Sequence, residues 1–255
     1  MDFLNSIILL TNFIIVPGIT YGSQLALGAI GVTLIYGVLR FANFAYGDLM
    51  AFGTMVVILM TWYLQSKGIS FGLLPTALLA LPIGILLTIA VSLFFDKTVF
   101  EYYRNKKSNP VTFIVVSLGI MFVLNAVVRI IIGPNDINFM DGHKFILKAR
   151  EFKQLTGLNE GLAIKSTQVI TLVTTIITCS ILFYFLNKTK TGKSMRAYSN
   201  NEDLALLSGI DPKKIVLITW VIVSILATVA GTLYCLLYTS PSPRDSNLSR
   251  MPSSA

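Results

Sequence analysis

Charge is scarce in this chain: Asp, Glu, Lys and Arg together make up 13% of its 255 residues. Histidine occurs once, at His143, and cysteine twice, at Cys179 and Cys235. Each shortage removes a class of function. A single histidine in a polar loop, with no second ligand nearby, does not build a metal centre. Two cysteines, one inside an apolar run and one near the end of the chain, provide no disulfide framework. The apolar runs carry no Ser/His/Asp set and no paired carboxylates, which argues against an intramembrane enzyme. They hold little that ionises, whereas an ion-coupled secondary transporter needs such groups in mid-span or paired broken helices. The start, MDFLNSII, lacks the basic n-region and small-residue cleavage site of a secretory signal. Neither a metal nor a cofactor is expected.

What the chain has instead is apolar surface. It is 54% hydrophobic, with a mean hydropathy of +0.74, more than a soluble domain of this length can cover, so its solvent is lipid. Crossing the hydrocarbon takes roughly 20 apolar residues in a helix. Candidate spans lie at 19–38, 49–65, 73–95, 111–132, 167–186 and 215–234. Residues 3–16 are shorter and end at Pro17-Gly18; they form a further N-terminal span or an interfacial segment. The runs are continuous rather than alternating over about ten residues, which excludes a β-barrel. The expectation is an all-α, polytopic membrane protein of six transmembrane helices, with or without that N-terminal one.

From Cys235 the composition changes: CLLYTSPSPRDSNLSRMPSSA is rich in Ser and Pro and has no helical periodicity. It reads as a translated sequencing adapter. Residues 1–234 are thus expected to be the natural domain, incomplete at its C-terminal spans, and residues 235–255 a non-native tail.

Spans alternate sides, so the loops can be sorted. Segments 96–109 and 187–214 fall on one side and hold ten Lys and Arg in 42 positions, against five in 34 for 133–166 on the other. By the positive-inside rule the first two are cytoplasmic. The positive excess suits the anionic inner leaflet, so membrane lipid is a partner and nucleic acid is not invoked.

Three segments carry a resemblance. LIYGVLRFANFAYGDLM, at 34–50, is similar to LIYGVLRxxNFAHGDL, with Tyr46 where histidine usually stands. A span opens after Pro110 and closes at Gly133-Pro134. Residues 191–210 resemble the pattern GxxMRAxxxNxxxAxxxGI, matched by Gly192, Met195, Arg196, Ala197, Asn201, Ala205, Gly209 and Ile210. The pattern is that of the permease subunits of branched-chain amino acid ABC transporters, especially the smaller type. It covers nearly all of residues 18–234.

Taken by itself, the third segment predicts a short amphipathic helix. Ser199 or Asn200 serves as its cap, and Glu202 and Asp203 lie in its first turn near the positive end of the dipole. Leu204, Leu207 and Ile210 form one apolar edge, Gly209 suits the stop, and Pro212 prevents continuation. Such a helix lies on the membrane, docks into a partner's groove, or is an ordinary solvated loop. The resemblance implies the second: a coupling helix seated in the ATPase, with Gly192, Arg196, Ala197, Asn201, Ala205, Leu207 and Gly209 as coupling residues. NKTKTGKS, at 187–194, nearly matches the phosphate-loop pattern, but Asn187 replaces the leading glycine and an apolar span precedes it. Nucleotide binding by this chain is not expected.

Asn43, Tyr46 and Asp48 are candidates for the substrate path, since polar groups at such depth are costly. Structurally, Asp48 suits the N-cap of the second span, and Asn43 suits a turn. Gly18, Gly22 and Ala26 repeat at four-residue spacing and predict close helix packing. Gln24 and Asn125 suit interhelical hydrogen bonds, and Arg129 suits snorkelling to the outer interface. The resemblance implies a permease of an ABC importer in the bacterial inner membrane, using ATP only through partners. Those partners are a second permease subunit, two ATP-binding subunits and an extracytoplasmic substrate-binding protein. Related permeases carry urea or amides, and the spans do not discriminate among these substrates.

Overall fold

The computed structural model describes residues 2–68, 75–133, 145–147 and 164–238. In lipid, a helix satisfies its backbone internally, and the apolar runs do fold as helices. Helix α1 (Asp2–Leu10) passes through a π-helical turn (Thr11–Ile15) into α2 (Val16–Leu39). Residues 3–16 are therefore not a helix apart from the first span; they continue it as one helix from Asn5 to Leu39. Pro17 sits at the start of α2, directly after the π turn, where a proline's missing N–H and bulk are tolerated.

Helix α3 (Tyr46–Ser66) is followed by α4 (Ala77–Phe95), a second π turn (Asp96–Phe100) and α5 (Glu101–Asn105). The segment read as a loop from residue 96 is thus mostly helix, and only residues 106–109 connect it to α6 (Pro110–Ile132). Pro110 opens α6, and Gly133, at φ +83°, closes it, as the sequence predicts. A small antiparallel ribbon, β1 (Phe145–Leu147) with β2 (Ile164–Lys165), lies in the segment expected to be loop. Then come α7 (Ser166–Lys188), α8 (Lys190–Asn200), α9 (Glu202–Leu207) and α10 (Pro212–Tyr238). Among the described residues six helices are long and apolar enough to cross a membrane. The chain is a polytopic all-α membrane protein.

Helix α10 is the axis of the bundle: about two thirds of its apolar stretch is buried, whereas most of α7 is not. It packs on α2, α3 and α4. At the α3/α4/α10 crossing the helices touch through small residues. A Cβ on Gly53 would lie 2.7 Å from Thr228 Oγ1, and one on Gly231 would lie 2.9 Å from the Met50 carbonyl. This is the close packing that the sequence analysis assigned to Gly18, Gly22 and Ala26. Those three are instead exposed, and a Cβ on Gly18 or Gly22 meets nothing within 4 Å. Gln24 and Asn125 do bond across helices, Gln24 Nε2 to the Leu233 carbonyl and Asn125 Nδ2 to Asp48 Oδ1, both at 2.9 Å. Helix α10 runs past Cys235 to Tyr238, with Leu236 buried, so helical structure reaches four residues beyond the expected boundary. Residues 239–255, and His143, lie outside the described residues.

Candidate functional site

The connection between α2 and α3 is built as a tight turn. Arg40 caps α2 in the left-handed region (φ 59°), its N–H donating to the Tyr36 carbonyl. Asn43 Oδ1 accepts from the Ala45 N–H at 3.0 Å, an Asx turn, and Ser117 Oγ on α6 accepts from the Phe44 N–H at 3.2 Å. Phe41 packs into an aromatic row, 5.1 Å from Phe113 and 5.4 Å from Phe100, which in turn stacks on Trp220.

The three path candidates meet at the start of α3, and each is engaged differently. Asn43 holds the turn. Asp48 is not the N-cap, since Ala45 occupies that position; Asp48 lies in the first turn, where its charge faces the positive end of the helix and its carboxylate takes the Asn125 amide. Tyr46 is 3% exposed. Its ring lies against α2 at Gly31, where a Cβ would fall 2.0 Å from the phenolic oxygen. That oxygen has no hydrogen-bond partner among the described residues. From the same turn an apolar groove runs along α3 and α10, lined by Gly47, Met50, Thr54, Ile58, Ile132 and Tyr234.

The polar segment after α7 folds as two helices rather than the single short one expected. Thr189 Oγ1 caps α8 by accepting from the Gly192 N–H at 3.0 Å. Gly192 lies where α8 doubles back on α7, and a Cβ there would meet the Phe185 carbonyl at 2.3 Å; only glycine fits. Asn201, not Ser199 or Asn200, caps α9, with Oδ1 accepting from the Leu204 N–H at 3.1 Å. Gly209 ends it at φ +77°.

The motif residues therefore divide by direction. Met195, Tyr198 and Ala205 are buried with Val38 and Ile215, and Ile210 packs against them. Ile210 thus leaves the expected apolar edge, and Leu206 joins it. Leu204, Leu206 and Leu207 are exposed by 60, 44 and 85%. Arg196 is exposed as well, its guanidinium donating to Asn187 Oδ1 at 3.0 Å. The Tyr198 hydroxyl donates to Glu202 at 2.7 Å; burial, then this carboxylate, pushes its pKa up.

Two groups missed by the sequence analysis organise this end of the molecule. Asp96 accepts both guanidinium nitrogens of Arg104, at 2.8 and 3.1 Å, and the Trp220 indole N–H at 2.7 Å, joining the third span to the sixth. Lys213 pairs with Glu101 at 3.5 Å, so the segments around 96–109 and 187–214 do share one end. Arg40 donates to the carbonyls of Ser199 and Asn200. A basic residue just past a helix end was the available signal for Arg40; nothing local marks Asp96.

Comparison with known families matches residues 14–251 to the branched-chain amino acid transport system permease component. The chain is 26% identical over 225 residues to the high-affinity branched-chain amino acid transport system permease protein LivH of Escherichia coli K12, covering 87% of this chain and 69% of that one. It is 26% identical over 233 residues to the permease BraD of Pseudomonas aeruginosa, covering 88% and 70%. It is 28% identical over 228 residues to a probable LivH of Methanocaldococcus jannaschii, covering 87% and 65%. No solved structure matches the chain.

Proposed function

Because the chain belongs to the family of branched-chain amino acid transport permease components, we propose that it forms one wall of the translocation path of an importer for leucine, isoleucine and valine, and that α8 and α9 couple this path to a separate ATPase. The chain is a transport subunit. ATP is hydrolysed by two partner subunits, a second permease subunit completes the path, and an extracytoplasmic binding protein delivers substrate. Asn43, Tyr46 and Asp48 line that path, with Asp48 held inside the bundle by Asn125 of α6.

One observation carries the coupling reading. Leu204, Leu206 and Leu207 project from a short helix that is firmly capped and anchored through Ala205. They do so at the end of the molecule that holds the polar, basic segments. An apolar edge held rigid in water suits a groove on a soluble partner. The substrate reading draws on the groove beside Asp48, whose Met, Ile and Thr lining suits a branched aliphatic side chain and lacks a charge.

Alternating access then follows as a shift between inward and outward states, driven by the difference in partner binding to each. The test is uptake of labelled leucine, isoleucine and valine into proteoliposomes holding the assembled complex, with urea and acetamide as competitors. ATP-dependent uptake that excess valine abolishes and urea leaves unchanged supports the reading. Uptake that urea or acetamide abolishes overturns the substrate, and uptake without ATP overturns the coupling.

A further inference from the structure

The ends of α2 and α8 cap each other. A helix leaves its last four carbonyls without intrahelical donors. Two of those on α8, of Ser199 and Asn200, are taken by Arg40 Nη2 at 2.8 and 3.4 Å. One of those on α2, of Gly37, is taken by the Ser199 hydroxyl at 2.6 Å. The guanidinium also sits at the negative end of the α8 dipole. A Cβ at position 37 would stand 3.4 Å from Ser199 Oγ, in ordinary contact, so the two positions face each other directly.

Immediately after Arg40 the chain enters the turn that Asn43 closes on itself and that Phe41 and Phe44 fasten to the aromatic row and to α6. No slack separates the joint from that turn. Segments 34–50 and 191–210, singled out separately in the sequence, meet at this point.

We propose that Arg40 is a positioning residue for transport: with Ser199 it makes α8 and the end of α2 one rigid joint, which carries the movement of α8 and α9 to the turn at residues 41–48. The joint stays closed through the cycle, and the turn moves with it. The proposal rests on the coupling reading above.

The experiment uses the assembled transporter in proteoliposomes, in a version without Cys179 and Cys235. It reads assembly, unstimulated ATP hydrolysis, hydrolysis stimulated by the loaded binding protein, and leucine uptake. Arg40→Ala retains assembly and unstimulated hydrolysis, while stimulated hydrolysis and uptake fall together by about tenfold, a typical coupling energy between sites. A residue that only supports the fold lowers all four readouts.

Gly37→Cys with Ser199→Cys then replaces the joint covalently, because the two positions are close enough for a disulfide. Oxidation leaves transport intact when Arg40 is present and restores most of the loss in Arg40→Ala, and a reductant reverses the rescue. Arrest on oxidation beside Arg40, or no rescue of Arg40→Ala, overturns the proposal. If Arg40→Ala does not assemble, Arg40→Lys takes its place with the same two outcomes. A wild-type complex whose hydrolysis substrate does not stimulate removes the coupling reading, and the joint with it. Stimulated wild type with an unrescued Arg40 variant removes the joint alone.

Discussion

Replacing Leu207 with aspartate separates a coupling edge from a solvated loop. Leu207 is 85% exposed, so the substitution removes almost no contact within the chain, and surface changes of this kind shift stability by about 0.5 kcal/mol or less. Burying a leucine completely stabilises by about 1.5–3 kcal/mol, and most of the Leu207 side chain is available for a partner. An aspartate in the same groove forfeits that gain and must also be desolvated or neutralised, at a further cost of about 2 kcal/mol or more. The sum exceeds about 3 kcal/mol, more than two decades in the dissociation constant at about 1.4 kcal/mol each. The assay is co-purification of the ATPase with a tagged permease, together with leucine uptake and membrane insertion. Insertion is expected to persist while association and uptake collapse. Arg196→Ala, which removes an exposed cation bonded to Asn187, is expected to give a milder form of the same defect. Wild-type association and uptake in Leu207→Asp would refute the reasoning, because an edge that tolerates a charge is not seated in an apolar groove.

Four further outcomes are expected. Single cysteines at Asn105 and Asn200, both exposed, resist an impermeant thiol reagent in intact cells lacking Cys179 and Cys235, while one at Lys148 reacts; the reverse pattern inverts the orientation. Asp96→Ala strands the Arg104 guanidinium and the buried Trp220 indole, and thermal unfolding in detergent is expected to show a loss of about 3 kcal/mol, with Asp96→Asn losing less. Gly31→Ala drives a methyl into the Tyr46 ring and is expected to cost about 1–3 kcal/mol; in a Tyr46→His background the cost largely disappears, which a double-mutant cycle measures. Amplification of the source genome across the codon for Tyr234, without adapters, is expected to give a continuation other than the one at 235–255; recovery of CLLYTSPSPRD would show the tail to be native.

The sequence was sufficient for everything that lipid enforces locally. An apolar run of about twenty residues has one way to satisfy its backbone in hydrocarbon, so helices, their number and their alternation were legible without tertiary information. Punctuation was legible for the same local reason, as Pro110, Gly133 and Gly209 act on their own backbone. The loss of Phe95 as a helix end shows the limit: polar residues at 96–105 signal the edge of the apolar run, not the end of the helix.

Partnership was not legible, because it depends on which faces meet. Gly18, Gly22 and Ala26 have the spacing of a packing face, yet the contacts fall to Gly31, Gly53, Gly84 and Gly231, chosen by where α3 and α10 lie. Asp48 looked like a cap until Asn125, 77 positions away, supplied its partner. Asp96 and Trp220, 124 positions apart, and Arg40 and Ser199, 159 apart, belong together only because the bundle folds their helix ends to one side. Within the third motif, composition marked an amphipathic helix, but packing decided that Ala205 and Ile210 turn inward and Leu206 and Leu207 outward. A periodic pattern states that a helix has two faces; only the neighbours determine which face is covered.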